Sequence, residues 1–160
     1  MLTPWHFPRN LSQLATDQVA YTDGVGALDT PQDIITVTSV RGNAAAHGGL
    51  LTREANSLVF RNYGFSIGAS TVQAIEIQLS VTRLSRIQDR VVQLYYNAAI
   101  GANLADLTAG DVHVYTASAT PGVDYSSVNF GCVVDLGPHQ SYPSNNTIVI
   151  RSVAMRLDLV

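Results

Sequence analysis

Two groups of side chains concentrate the chemistry this chain could do. Arg83, Arg86 and Arg90 crowd around a polar segment, residues 84–90. Clustered guanidiniums suit carboxylates, because each planar fork donates paired hydrogen bonds. Trp5, His6 and Phe7 stand between Pro4 and Pro8, with no strand or helix period. Aromatic side chains in such a stretch must find a pocket, in their own domain or in a neighbour's. Each group also has a plainer reading. The arginines could cap a solvated hairpin tip with Asp89 as partner, and the aromatics could form a lid over the end of their own domain.

Catalysis finds no comparable support. His6, His47, His113 and His139 lie in four separate segments, without the H-x-x-x-H or H-x-H spacing that brings two imidazoles to one metal. They read as lone surface or loop histidines. Asp111 and His113 would share a strand face, but no nucleophile is tied to them. No nucleophile elbow, P-loop or calcium loop occurs. Glu76 alternates outward, as a solubilising group or half of a cross-strand pair. Cys132, the single cysteine, reads as a buried free thiol and excludes an internal disulfide. The expectation is a protein that is not an enzyme, with no catalytic residue, metal or cofactor.

The elements that must position these groups are strands. Ile75, Ile77, Leu79 and Val81 alternate with Glu76, Gln78, Ser80 and Thr82, so one face is apolar and the other wet. Residues 91–96 give a second strand after the polar loop, and the two read as an antiparallel pair. Shorter alternating runs fall at 33–40, 57–61, 112–114, 129–136 and 148–160, with Gly- and Pro-rich loops between. Residues 104–107 could make a half-turn of helix. The pattern predicts an all-β fold: a two-sheet antiparallel β-sandwich, jelly-roll-like, with about eight strands. Residues 1–12 read as an extended N-terminal arm and 13–160 as a single domain.

Composition narrows the partners. Of 160 residues only 13% are charged, and all 9 basic residues are Arg. Arg is favoured at protein interfaces, so a Lys-free surface suits a subunit of a larger assembly, although codon bias explains it equally. A net charge of −3 offers no footprint for nucleic acid. No apolar run approaches a membrane span. The first residues lack the basic start and apolar core of a secretory signal, so folding in a cytoplasm is expected.

The wording of three phrases carries a resemblance. Asn62-Tyr63-Gly64-Phe65-Ser66-Ile67 precedes the 74–83 strand. A charged loop then leads into Val92-Gln93-Leu94-Tyr95, and Ser127-Val128-Asn129-Phe130-Gly131 follows later. Together with a final alternating strand, these resemble a β-sandwich module of virion structural proteins in tailed bacteriophages. The likeness covers roughly residues 56–160 and departs at 108–125, where relatives carry Trp-rich loops, so partner contacts made by those loops do not transfer. It implies a non-enzymatic virion protein, made in the host cytoplasm and located in the virion. A capsid decoration (cement) protein is the first expectation, a homo-oligomer bound to the major capsid protein or other virion subunits. A tail, fibre or neck adaptor is the alternative. A carbohydrate-binding module for host-surface glycans is a third reading, with Tyr115, Tyr125 and Tyr142 as possible platforms.

Overall fold

The period-two alternation carries directly into the sheets. The computed structural model describes residues 1–13, 19–21, 35–39, 57–83, 87–106, 111–138 and 146–160. Its strands are β1 (Asn10–Gln13), β2 (Val19–Tyr21), β3 (Ile35–Ser39), β4 (Ser57–Arg61), β5 (Val72–Arg83), β6 (Ile87–Tyr96), β7 (Ala99–Ile100), β8 (Val112–Ser118), β9 (Phe130–Pro138) and β10 (Asn146–Leu159). The described residues hold no helix. Every pairing is antiparallel. One sheet runs β1-β4-β9-β6-β7 and the other β2-β3-β10-β5-β8.

A single core lies between the sheets, as a β-sandwich requires. Leu58, Phe60, Val92, Leu94, Phe130, Cys132 and Val134 enter it from the first sheet. Ile75, Ile77, Leu79, Val81, Val153, Met155 and Leu157 enter from the second. All four expected inward residues of β5 are buried. Their partners in β10 sit directly opposite: Leu79 with Val153, Ile77 with Met155, Ile75 with Leu157.

Four local expectations are corrected. The strands before and after the 84–90 loop are not an antiparallel pair, since β5 and β6 lie in different sheets. Residues 87–90 of that loop are strand, because β6 begins at Ile87. A ladder of backbone bonds passes through polar residues as readily as apolar ones. Residues 104–106 form no half-turn. Instead Leu104 donates its N–H to Val92 O at 2.7 Å, and Asn103 Oδ1 accepts from Val92 N at 3.0 Å and Ala105 N at 3.1 Å. This stretch continues the edge pairing of β6 beyond β7. Finally, ten strands are present among the described residues against about eight expected, the additions being short.

Candidate functional site

The arm is bonded along its own sandwich. β3 covers one edge of β10 only over Asn146 to Ile150, and residues 1–6 take the same edge further along. His6 N donates to Met155 O at 2.8 Å and Met155 N returns a bond to His6 O at 2.9 Å, while Thr3 N donates to Leu157 O at 2.8 Å. The Thr3 hydroxyl accepts from Leu157 N at 3.0 Å. Arg9 N then reaches Arg61 O at 3.1 Å, after which β1 pairs with β4. The arm therefore passes from an edge of one sheet to an edge of the other. Its prolines do not obstruct this, since Thr3, His6 and Arg9 are the donors and Pro4 and Pro8 fall between them.

The three aromatic candidates end in different places. Trp5 lies under the Arg156 guanidinium, 4.3 Å from carbon to ring centre. Arg156 Nε in turn donates to Glu76 Oε2 at 2.6 Å, and these two residues are register partners across β10 and β5. The outer face of the second sheet thus carries a row of ring, cation and carboxylate, and Glu76 makes the expected cross-strand pair. His6 turns the other way. Its ring packs on Phe65 at 4.6 Å, and Nδ1 lies 3.0 Å from Tyr63 O. A carbonyl only accepts, so Nδ1 carries the proton. Phe65 meets Phe130, and Phe130 meets Tyr125 edge-on at 4.9 Å. An aromatic chain thus runs from the arm into the core. Phe7 is half-buried and Pro8 buried.

Arg83 and Arg90 lie on two different strands. Arg83 ends β5, opposite Ile148. Arg90 is the extra residue at a bulge in β6, where Asp89 pairs with Leu136 and Val91 with Asp135. Arg86 lies outside the described residues. Arg83 ends its strand as expected, but β5 and β6 lie in different sheets, so Arg83 and Arg90 do not flank a hairpin.

The remaining polar candidates are spent on structure. His113 is 5% exposed, against the expectation of a surface or loop histidine, with Nδ1 2.8 Å from Tyr115 Oη. Asp111, two residues earlier, is exposed. His47 and His139 lie outside the described residues. Cys132 is buried and free, and burial pushes its thiol up to about 12. The thiolate needed for nucleophilic or ligand chemistry is absent at neutral pH. Tyr63 Oη donates to Val153 O at 3.0 Å, and burial raises its phenol well above the usual range. Among the described residues no group of three or more His, Cys, Asp or Glu could hold a metal.

Two shallow grooves, of about 430 and 420 Å³, flank Ala119, Thr120 and Pro121. Tyr125 lines one of them, but its ring is buried and its hydroxyl is taken by Thr120, accepting from N at 2.7 Å and donating to O at 3.1 Å. Tyr115 is buried as well, and Tyr142 lies outside the described residues. Neither described tyrosine offers a stacking platform to a sugar.

Sequence reasoning missed why the Asn62 phrase reads as it does. Asn62 and Gly64 have φ of 63° and 69°, the left-handed region that Asn and Gly tolerate. This reversal sends both Tyr63 and Phe65 into the core. Asn62 N donates to Phe130 O at 3.1 Å, so two of the three phrases singled out in the sequence touch. The signal was present as an Asn-x-Gly pair following a strand. Comparison with family models, with curated proteins and with solved structures finds no match for this chain.

Proposed function

We propose that this chain is a non-enzymatic structural subunit of a tailed-bacteriophage virion, a decoration protein that binds the head shell and stiffens it. The observation that carries the reading is the meeting of two of its three family-like phrases. Asn62 and Phe130 are joined by a backbone bond, and the glycine after Phe130 sits where an added Cβ would lie 1.8 Å from Phe60 O. The likeness therefore falls on residues that build one structural unit. The strand order supports a jelly roll: β3 to β10 alone run β3-β10-β5-β8 in one sheet and β4-β9-β6-β7 in the other, the interleaving of eight strands that defines that fold. The inward commitment of His113, Tyr63 and Cys132 to structural contacts further favours a scaffold over an enzyme.

Mass spectrometry and cryo-electron microscopy of purified particles test the proposal. Symmetric copies on the head are expected. Copies confined to the tail or neck would move the assignment to an adaptor, and absence from the particle would end the structural reading.

A further inference from the structure

Among the described residues β8 has one strand neighbour, β5, and ends its sheet. The main chain shows which way its other edge faces. Val81 N donates to Asp111 O at 2.8 Å and Ala119 N to Gln73 O at 3.0 Å, so the odd-numbered residues from 111 to 119 turn their N–H and C=O groups toward β5. In an antiparallel ladder the alternate residues turn theirs away, and here those are Val112, Val114, Thr116 and Ser118. All four are exposed, whereas their register partners on β5, Ser80, Gln78, Glu76 and Ala74, are half-buried. β5 has a strand on each side. The greater exposure along β8 is that of a strand with solvent on one side.

Such edges draw in further strands, and folds blunt them with charge, proline, a bulge or shortness. β8 uses none of these devices. Val112 to Ser118 holds no Asp, Glu, Lys, Arg or Pro. Its register with β5 is unbroken from Ala74 with Ser118 to Ser80 with Val112, while the β10–β5 and β6–β9 ladders are both interrupted by shifts. Among the described residues the other strands that end a sheet, β1, β2 and β7, have four, three and two residues, against seven in β8.

We infer that β8 pairs antiparallel with β8 of a second copy of this chain, joining two sandwiches through one continuous sheet. Self-complementarity makes the second copy the occupant. With the two-fold axis at Tyr115 the strands overlap along their whole length, so Val112 lies opposite the partner's Ser118 and Val114 opposite the partner's Thr116. Every outward N–H and C=O of β8 then has a mate, and an isologous contact of this kind closes on itself. The two Val114 side chains become diagonal neighbours, a favourable β-branched contact. Asp111, beside the start of the strand, falls opposite the partner's Ala119 and meets no second carboxylate. A strand pair alone is smaller than the ~1,200–2,000 Å² of a stable interface, but a groove of about 420 Å³ opens beside it. Ala117 of β8 and Leu94, Ile100 and Leu104 of the other sheet line that groove, so a copy seated along β8 also shields apolar surface. The pairing is a property of the isolated chain, and failure of the virion reading leaves it untouched.

Sedimentation equilibrium and hydrogen exchange on the purified protein test it. The wild type should pass from monomer to dimer, twice 17.1 kDa, as concentration rises. The amides of Val112, Val114, Thr116 and Ser118 should exchange slowly in the dimer and fast on dilution. Val114→Pro removes an outward donor while leaving the β5 ladder its bonds, and should weaken the dimer about tenfold or more, one hydrogen bond being lost from each copy. Val128→Thr, at an exposed valine outside β8, should leave the dimer unchanged. A monomer at the highest soluble concentration, a dimer indifferent to Val114→Pro, or equal weakening by Val128→Thr would overturn the inference. So would outward β8 amides that exchange as fast in the dimer as in the monomer, since the contact would then lie on another face. Where Val114→Pro melts early, Val114→Lys carries the test with its backbone donor intact, because it sets two ammonium groups on the diagonal and should weaken the dimer likewise. A monomer whose β8 amides become protected only on purified heads would give the edge to a strand of another protein, and self-pairing would be wrong.

Discussion

On the outer face of the second sheet, β10 and β8 are two strands apart and are treated very differently. Where the arm runs along β10, Ala154 is 0% exposed and Arg156 is sandwiched between Trp5 and Glu76. On β8, Val112 and Val114 are 58% and 53% exposed. The alternation is equally regular in both strands, so alternation does not determine which outward positions are covered. A segment with no periodicity of its own does that. Apolar residues on a wet face are ordinary when scattered, and it is the covered position that reveals a long-range contact.

The largest perturbation should come from the strand frame on which the arm lands. Gly131→Ala puts a Cβ 1.8 Å from Phe60 O, backbone against backbone, where no side chain can yield. The destabilisation should reach or exceed the ~1–3 kcal/mol typical of overpacking, read from urea unfolding, and a change within ~0.5 kcal/mol would show that β4 and β9 are farther apart than described.

Deleting residues 1–9 breaks the comparison itself. The arm removes partial exposure of Trp5, His6 and Phe7 and makes backbone bonds to Met155 and Leu157, together worth about 2 kcal/mol. For a domain of this length that lowers Tm by roughly 4–8 °C. A truncated protein that melts with the wild type would mean the arm's own edge contributes nothing, and would return its aromatics to a neighbour's pocket.

Alkaline titration sharpens the contrast between inner and outer groups. Burial holds the Cys132 thiol up to about 12 and the Tyr63 phenol above its usual range, whereas an unfolded cysteine releases its proton near about 8.5. The folded state then keeps protons that the unfolded state loses, so stability should fall as pH climbs from about 8.5 toward 12. Cys132→Val should shallow that slope, and an identical slope would place the titration elsewhere.

Smaller still, Trp5→Ala should cost about 0.5–1 kcal/mol through loss of the contact with Arg156, measured by thermal melts against Arg156→Ala and the double variant. Additive effects would deny the coupling. Val114→Thr on β8 should stay within ~0.5 kcal/mol.

Much of this was legible in the residues. The β5 core stripe, the Cys132, Phe130 and Val134 face and the Met155 face all follow from period two, because a strand's geometry admits no other reading of such alternation. The start of β6 was hidden because Ile87 to Arg90 are held by backbone pairing with a bulge, which polar residues do not disclose. The arm's seat was hidden because its partners, Met155 and Leu157, lie nearly the whole chain away, and a local pattern carries no information about them.

The position of β10 has a temporal consequence. It is the last of the described strands in chain order, yet in its sheet it sits between β3 and β5 and also receives the arm. Until it emerges, the second sheet is two unjoined pieces, each with an open edge toward the missing centre. Folding of this sheet must then wait until β10 has been made, through contacts of long sequence separation that form slowly. The core stripe of β5 stays open to solvent through that interval. The protein should accordingly be most vulnerable to aggregation and proteolysis before β10 has emerged, and a chain truncated before residue 146 should fail to fold.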